Sequence, residues 1–339
     1  MELHGKIHRG HVAFEELKDE WLALQEKEKT TPFIQYHWCL KLASYEAQPI
    51  LISIWHGAKC VAILPLAKKV VISKIRIEGL VHLCQRFTDY QSILLDSNYV
   101  LSDCLDAVFA ALKASSFQSL PLIFHYPDQH LTSVLISSAN RFGRLRKFQR
   151  WEHVSYSTQL GPVKKKVIND AARRRKKLEE KGELTVSLNL GYDEDVINWI
   201  LDNNAAKYGE SALTAIHDRN EIHELLKASV PFLHVACIKH EENIIAAHLG
   251  FIVQNCLYYY VPVINSNYRQ FSPGMIMLEQ IYKNFAELNI TKVDFLRGVE
   301  SYKYKWGNKK QKKFALCCLP EKVSPMKEAI FSWWLKRNQ

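Results

Sequence analysis

Asn265-Ser266-Asn267-Tyr268-Arg269-Gln270-Phe271-Ser272-Pro273-Gly274-Met275 joins a strand to a helix, and its reading decides the fold. Before it, Leu257 to Ile264 is rich in β-branched and aromatic residues and reads as a strand. After it, apolar residues recur at helical spacing from Pro273 to Leu288. Ser272 suits the N-cap and Pro273 the first helical position. Gly274 leaves the first turn without a side chain, so the backbone N–H groups there, Met275 included, are open to an anion favoured by the helix dipole. Arg269 adds a guanidinium able to pair with phosphate through two N–H groups. Such chemistry suits a pyrophosphate. The same residues also suit an ordinary capped helix after a loop, and spacing alone does not choose between them.

Downstream, Lys292 to Leu296 reads as a strand that runs into Asp294-Phe295-Leu296-Arg297-Gly298-Val299-Glu300-Ser301-Tyr302-Lys303-Tyr304-Lys305-Trp306-Gly307. Asp294 and Leu296 share one face of the strand and Phe295 takes the other. An acid at the end of an apolar strand suits a cleft, with Tyr302 and Lys303 following on a Gly-containing loop. A structural Asp capping the loop, with lysines in solvent, would leave the same pattern.

Upstream, the order is two helices (about 193–208 and 218–229), a hairpin (232–239 and 244–253), a third strand, a helix and a strand. The same order occurs earlier: helices at 13–28 and 31–45, a hairpin at 49–66, strands at 70–79 and 91–95, a helix at 101–113 and a strand at 120–125. This is a repeat of elements rather than of residues. It predicts a mixed α/β (α+β) fold, not doubly wound, in two domains, 1–160 and 161–339. Val154 to Leu160 reads as a strand leaving the first half, and 321–336 as a last helix. The earlier helix is approached through Asp96-Ser97-Asn98-Tyr99-Val100-Leu101, without Gly or Arg, so only the second copy is expected to hold phosphates.

Composition narrows the function classes. Of the 339 residues 47% are hydrophobic, which excludes a largely disordered chain. No run approaches the ~20 apolar residues of a membrane span, and no signal-peptide pattern follows Met1. The eight cysteines form no CxxC pattern, which speaks against a zinc site or disulfide framework and for a reducing cytoplasm. No metal is expected. The net charge of +10 is local: residues 161–182 hold nine Lys/Arg against three acids, and 302–313 hold six lysines. Two basic clusters point to defined anion sites.

Several segments together resemble the GNAT-like acetyltransferase family typified by the CelD proteins of bacterial cellulose and polysaccharide synthesis, relatives of the FemAB transferases. They are Phe33 to Trp38, Thr88-Asp89-Tyr90, the basic run Arg173 to Gly182, Ile244 to Ala247, Tyr268-Arg269, Ser272-Pro273-Gly274, Asp294 to Gly298, and Tyr302-Lys303. The resemblance implies tandem GNAT-like domains, the first degenerate and serving the acceptor or the fold. It implies transfer of an acyl group from a thioester such as acetyl-CoA to a primary amine, on an amino sugar or cell-envelope precursor. Arg269, Ser272, Gly274 and Met275 would hold the donor. A backbone N–H of the strand Leu257–Ile264 would stabilise the oxyanion. Asp294 would be base or acceptor anchor, Tyr302 proton donor and Lys303 electrostatic stabiliser. Asp89, Tyr90 and His248 are candidates for the acceptor side, although His248 in an apolar strand also reads as a core histidine. The phosphate loop departs from ordinary GNAT enzymes in having one glycine. FemAB relatives take their acyl group from aminoacyl-tRNA, and the basic helix 164–177 would then track phosphates. A non-catalytic binding protein on a GNAT scaffold is the third reading.

Overall fold

The computed structural model describes residues 2–28, 30–73, 76–83, 87–137, 144–148, 154–158, 163–298, 300–307, 309–312 and 315–320, with Met326, Ala329, Ile330 and Trp333. Most of the last helix expected at 321–336 lies outside them. The chain forms two compact units, Met1–His153 with Lys312–Gln339, and Val154–Gln311.

The first unit opens with strand β1 (Leu3–Arg9), which the sequence reading missed. Its Leu-His-Gly-Lys-Ile-His-Arg carries only two large apolar side chains, enough for an edge strand paired on one side with β2. Helices α1 (Val12–Glu16) and α2 (Lys18–Lys27) divide the single helix expected at 13–28, because Leu17 leaves helical dihedrals at φ −113°. Pro32–Ile34 is a 3-10 turn before α3 (Tyr36–Ala43). Strands β2 (Pro49–His56), β3 (Lys59–Ile72), β4 (Ile77–His82) and β5 (Leu94–Leu95) follow. Then come α4 (Leu101–Lys113), β6 (Leu122–Phe124), α5 (Gln129–Ser137) and β7 (Arg144–Phe148). A core of β2, β3 and α4 residues, Ile52, Ile54, Leu64, Leu105 and Val108 among them, is withdrawn from solvent. Burial of such side chains is the main driving force for folding.

The second unit holds β8 (Val154–Thr158), α6 (Lys165–Glu179), β9 (Leu184–Ser187), α7 (Glu194–Tyr208), α8 (Leu213–Ile216) and α9 (Arg219–Ala228). Asp193 and Asp218 start α7 and α9 as N-caps, accepting the Val196 and Asn220 N–H groups. The hairpin β10 (Leu233–His240) and β11 (Asn243–Val253) leads to β12 (Cys256–Ile264), a 3-10 turn (Ser266–Phe271) and α10 (Pro273–Lys283). Strand β13 (Lys292–Asp294), helix α11 (Ser301–Trp306), β14 (Lys309–Lys312) and β15 (Ala315–Leu319) complete the order. Helix α11 replaces the loop expected from the sequence.

The two sheets share one plan. The first runs β1-β2-β3-β4-β6-β15-β7, with β5 beside β3, and the second runs β9-β10-β11-β12-β13-β8-β14. In each, four antiparallel strands are followed by a parallel neighbour, β4 with β6 and β12 with β13. The sixth place is filled reciprocally. Strand β15, from the far end of the chain, pairs with β6 and β7, while β8, from the end of the first half, pairs with β13. Chain order assigns Ala315–Leu319 to the second half, but its hydrogen bonds assign it to the first sheet.

This exchange makes a cut at residue 160 informative. A fragment 1–160 lacks the strand that covers β6, and a fragment 161–339 lacks the one that covers β13. Each is expected to show no cooperative unfolding by near-ultraviolet circular dichroism, whereas the full chain unfolds cooperatively. Independent folding of either fragment would show the sixth strand to be dispensable.

Candidate functional site

The site is organised by the β12–β13 ladder. It has three rungs, Cys256 with Lys292, Leu257 with Val293 and Tyr258 with Asp294. Beyond them β12 continues to Ile264, while the chain after Asp294 turns away through Leu296 at φ +56°. Among the described residues no strand lies on this side of β12 from Tyr259 onward, and the two strands bound a wedge. A parallel pair needs a crossover, here α10, whose first turn therefore returns over the end of β12. A Cβ on Gly274 would lie 3.3 Å from a methyl of Ile264. A wedge at the carboxyl end of parallel strands, faced by a helix N-terminus, is the usual place for a ligand in such folds.

The start of α10 differs from expectation in one respect. Ser272 occupies the N-cap position and Pro273 the first turn, but Ser272 is left-handed (φ +52°, ψ +59°) and its hydroxyl makes no capping bond. Side-chain capping needs an extended N-cap. Instead the Ser272 carbonyl accepts the Met275 N–H at 2.8 Å. Its hydroxyl accepts from Arg174 Nη1 at 3.0 Å. The Met275 sulfur accepts from Trp306 Nε1 at 3.2 Å, so that side chain belongs to the core between α10 and α11. Of the four donor-site candidates, Arg269, Ser272 and Gly274 surround the helix start, and Met275 anchors it. Arg269 lies exposed on the 3-10 turn. Arg174 is the residue that sequence reasoning missed. It sat unremarked in a basic run, and only the packing of α6 on α10 brings it to Ser272. The next residue, Arg175, approaches the fully buried Glu279 of α10 at 3.6 Å.

Asp294 ends β13, and Tyr302 and Lys303 lie in the first turn of α11. Asp294 accepts the Leu296 N–H at 2.8 Å, bracing the left-handed residue where the chain leaves the strand. Lys303 is buried, and its ammonium donates to the Arg297 carbonyl and pairs with Glu300 at 2.9 Å. Burial, with the charge of nearby Glu300, pushes the Tyr302 phenol well above its ordinary value, so it holds its proton at neutral pH.

His248 lies in the same layer, fully buried. Its ring stacks on Tyr259 at 3.9 Å and lies 5.4 Å from His234. A Cβ on Gly250 would come within 2.5 Å of this ring and 2.3 Å of the Tyr258 carbonyl, so the bulge there requires glycine. Burial pushes His248 well below its ordinary value, and His234 down to about 4. Asp89 and Tyr90 are in the other unit and both are buried, Tyr90 against Phe33.

The first unit closes its own counterpart of the wedge. Past the β4–β6 rungs, Gln91 bridges to Pro127 and its main chain bonds Tyr126 and Asp128 at 2.8 Å. Its side-chain oxygen accepts the His125 N–H, also at 2.8 Å. His82 Nε2 meets the Ser92 carbonyl at 2.9 Å. Where the second unit has Arg174 and Ser272, the first has buried Asp96 held by Lys59 at 2.6 Å and Lys27 at 2.9 Å. Among the described residues no group of three or more His, Cys, Asp or Glu is placed to hold a metal, and no helix is long and apolar enough to cross a membrane.

Residues 165–304 match the family model described as an acetyltransferase (GNAT) domain. The fold as a whole is a tandem of GNAT-like domains, mixed sheets flanked by helices. Solved structures with this fold include FemX, with a TM-score of 0.63 at 11% identity, covering 95% of this chain and 99% of that one. The L-PGS of Bacillus licheniformis is similar at 0.57 and 12%, covering 94% and 96%. A tandem GNAT protein from the clavulanic acid biosynthesis pathway is similar at 0.51 and 8%, covering 95% and 100%. No curated protein matches the chain.

Two outcomes test this geometry. Because His234 and His248 are neutral when folded, stability is fully present above the unfolded histidine value near 6.5 and is lost as pH falls towards the depressed folded values. Urea midpoints should fall between pH 7 and pH 5 by an amount reflecting about 2 kcal/mol for His234 alone, and His248→Gln should flatten the slope. Asp294→Ala should lower the melting temperature by about 3 °C through loss of the Leu296 bond, while Asp294→Asn keeps it.

Proposed function

We propose that the second unit transfers an acyl group from a coenzyme A thioester to a primary amine. The observation that carries this reading is the wedge between β12 and β13, faced by the start of α10. An extended thioester donor can lie in the wedge beside β12 as an added strand would. Its pyrophosphate then reaches the first turn of α10, where the Gly274 N–H, the Ser272 hydroxyl and the cations Arg174 and Arg269 converge. Arg174 keeps the Ser272 hydroxyl oriented and supplies further N–H donors to the anion.

The acyl carbonyl comes to rest near the last rung. A main-chain N–H of β12 stabilises the oxyanion as the amine attacks. Tyr302, protonated at neutral pH, gives its proton to the leaving thiolate. Asp294 draws the amine in and takes the proton it loses as the C–N bond forms and the C–S bond breaks, and Lys303 adds positive potential at the loop. The first unit, its wedge filled by its own chain, serves the fold. The resemblance to CelD proteins suggests an amino sugar or cell-envelope amine as acceptor.

Calorimetry against acetyl-CoA and against tRNA tests the donor. Micromolar acetyl-CoA binding, weakened about tenfold or more by Arg174→Ala or Arg269→Ala, is expected. Salt-sensitive tRNA binding without acetyl-CoA binding would replace this reading with an aminoacyl-tRNA donor, tracked by the lysines at both ends of α6. For the chemistry, Lys303→Ala and Asp294→Asn should lower turnover about a hundredfold while donor affinity changes little. Unchanged turnover would remove both residues from the reaction.

A further inference from the structure

The helix-covered face of the first sheet changes character at one end. Odd residues of β1 face α4: Leu3 and Ile7 pack into the core, and a Cβ on Gly5 would meet Ala107 and Ala111. Arg9, two residues beyond Ile7, has passed the end of that helix. It pairs in register with Ile50, and Ile50 with Leu66. Two residues on from Leu66 stands Lys68, opposite Leu80 of β4, with Glu78 two residues before Leu80. Side chains alternate along a strand, so Arg9, Ile50, Lys68 and Glu78 share one face. The segment after α4 borders them with Ser116 and Phe117. Together they line a cleft of about 490 Å³, a size that suits a small molecule.

Arg9 is held in this cleft by contacts that leave most of its donors unused. Its Cζ lies 4.6 Å from the centroid of the Phe117 ring, and Nη2 donates to Ser116 Oγ at 3.0 Å. Among the described residues no carboxylate pairs with it. Ring and hydroxyl fix the plane of the guanidinium and leave further N–H groups of its fork for an anion. Lys68 is paired with Glu78 at 2.8 Å, so the row carries one positive charge in excess. Ile50 and Phe117 add apolar surface beside that charge. A long side chain already held in place loses little freedom when a ligand arrives. The cleft lies past the C-terminal end of its crossover helix, whereas the proposed phosphate site of the second unit lies at the start of α10. We infer that it binds a small organic anion, a carboxylate or phosphate monoester on a short apolar body, with Arg9 as its main contact.

The test uses the full chain, calorimetry and three probes of similar shape: phenylacetate, phenyl phosphate and the neutral phenylacetamide. At least one of the two anions should bind with a Kd of about 1 mM or tighter, and phenylacetamide at least about tenfold more weakly. The tighter of the two anions distinguishes a carboxylate ligand from a phosphate one. Arg9→Gln should weaken that anion at least about tenfold, and Lys68→Gln about threefold. Arg9 is exposed on an edge strand, so its replacement leaves the fold intact, which an unchanged melting temperature checks. Acetyl-CoA should not compete with the anion, and Arg9→Gln should leave acetyl-CoA binding as it was. Neither anion bound at about 10 mM, the amide bound as well as the anions, or an unaltered Kd in Arg9→Gln would each overturn the inference. Displacement of the anion by acetyl-CoA would overturn it too, by moving the anion to the second unit.

Discussion

Everything distinctive about the second unit follows from where one ladder stops. Strands β12 and β13 share three rungs and then separate, because Leu296 takes a left-handed turn that Asp294 braces from below. A main-chain edge left open inside a sheet is costly unless something bonds to it. The separation also fixes where the crossover helix must begin. Its first turn lies at the end of β12, and α6 is held against it by Arg174 and Arg175. Wedge, helix start and buried lysine loop are thus consequences of one departure from regular pairing.

The first unit shows what the same frame does when that departure is healed. Gln91 continues the line of β4 and pairs on past β6, using both its main chain and its side chain. The helix that follows is approached through a buried carboxylate, not a serine and a glycine. Asp96 is itself the anion there, held by Lys59 and Lys27. Duplication of a fold therefore need not duplicate a site, since a few residues in one connecting segment decide whether the gap is filled from within.

Much of the frame was legible because its signals are local. The hairpins, the strand at 257–264 and the helix at 101–113 follow from periodicity and turn residues, and the structure repeats them within a few residues. The missed elements failed for physical reasons. Strand β1 carries too little apolar surface to register, and α11 is one short amphipathic stretch among lysines. The candidate site was half legible. Pro273 and Gly274 announce a helix start in any chain, but the left-handed Ser272, the reach of Arg174 and the rings around Tyr259 arise from contacts between residues far apart in sequence. The roles of Asp294 and Lys303 as braces of their own loop could not be separated from chemistry by spacing.

The reciprocal placement of β8 and β15 bears on how the polypeptide is made. While the ribosome is still adding the second unit, the first sheet has β6 and β7 but not the strand between them. At about 5–20 residues per second, roughly ten seconds or more pass between the synthesis of β7 and of β15. Throughout that interval β6 presents an unpaired edge, a surface that chaperones bind and that other nascent chains can join. The first half of the protein, synthesised earliest, is thus the last to be completed.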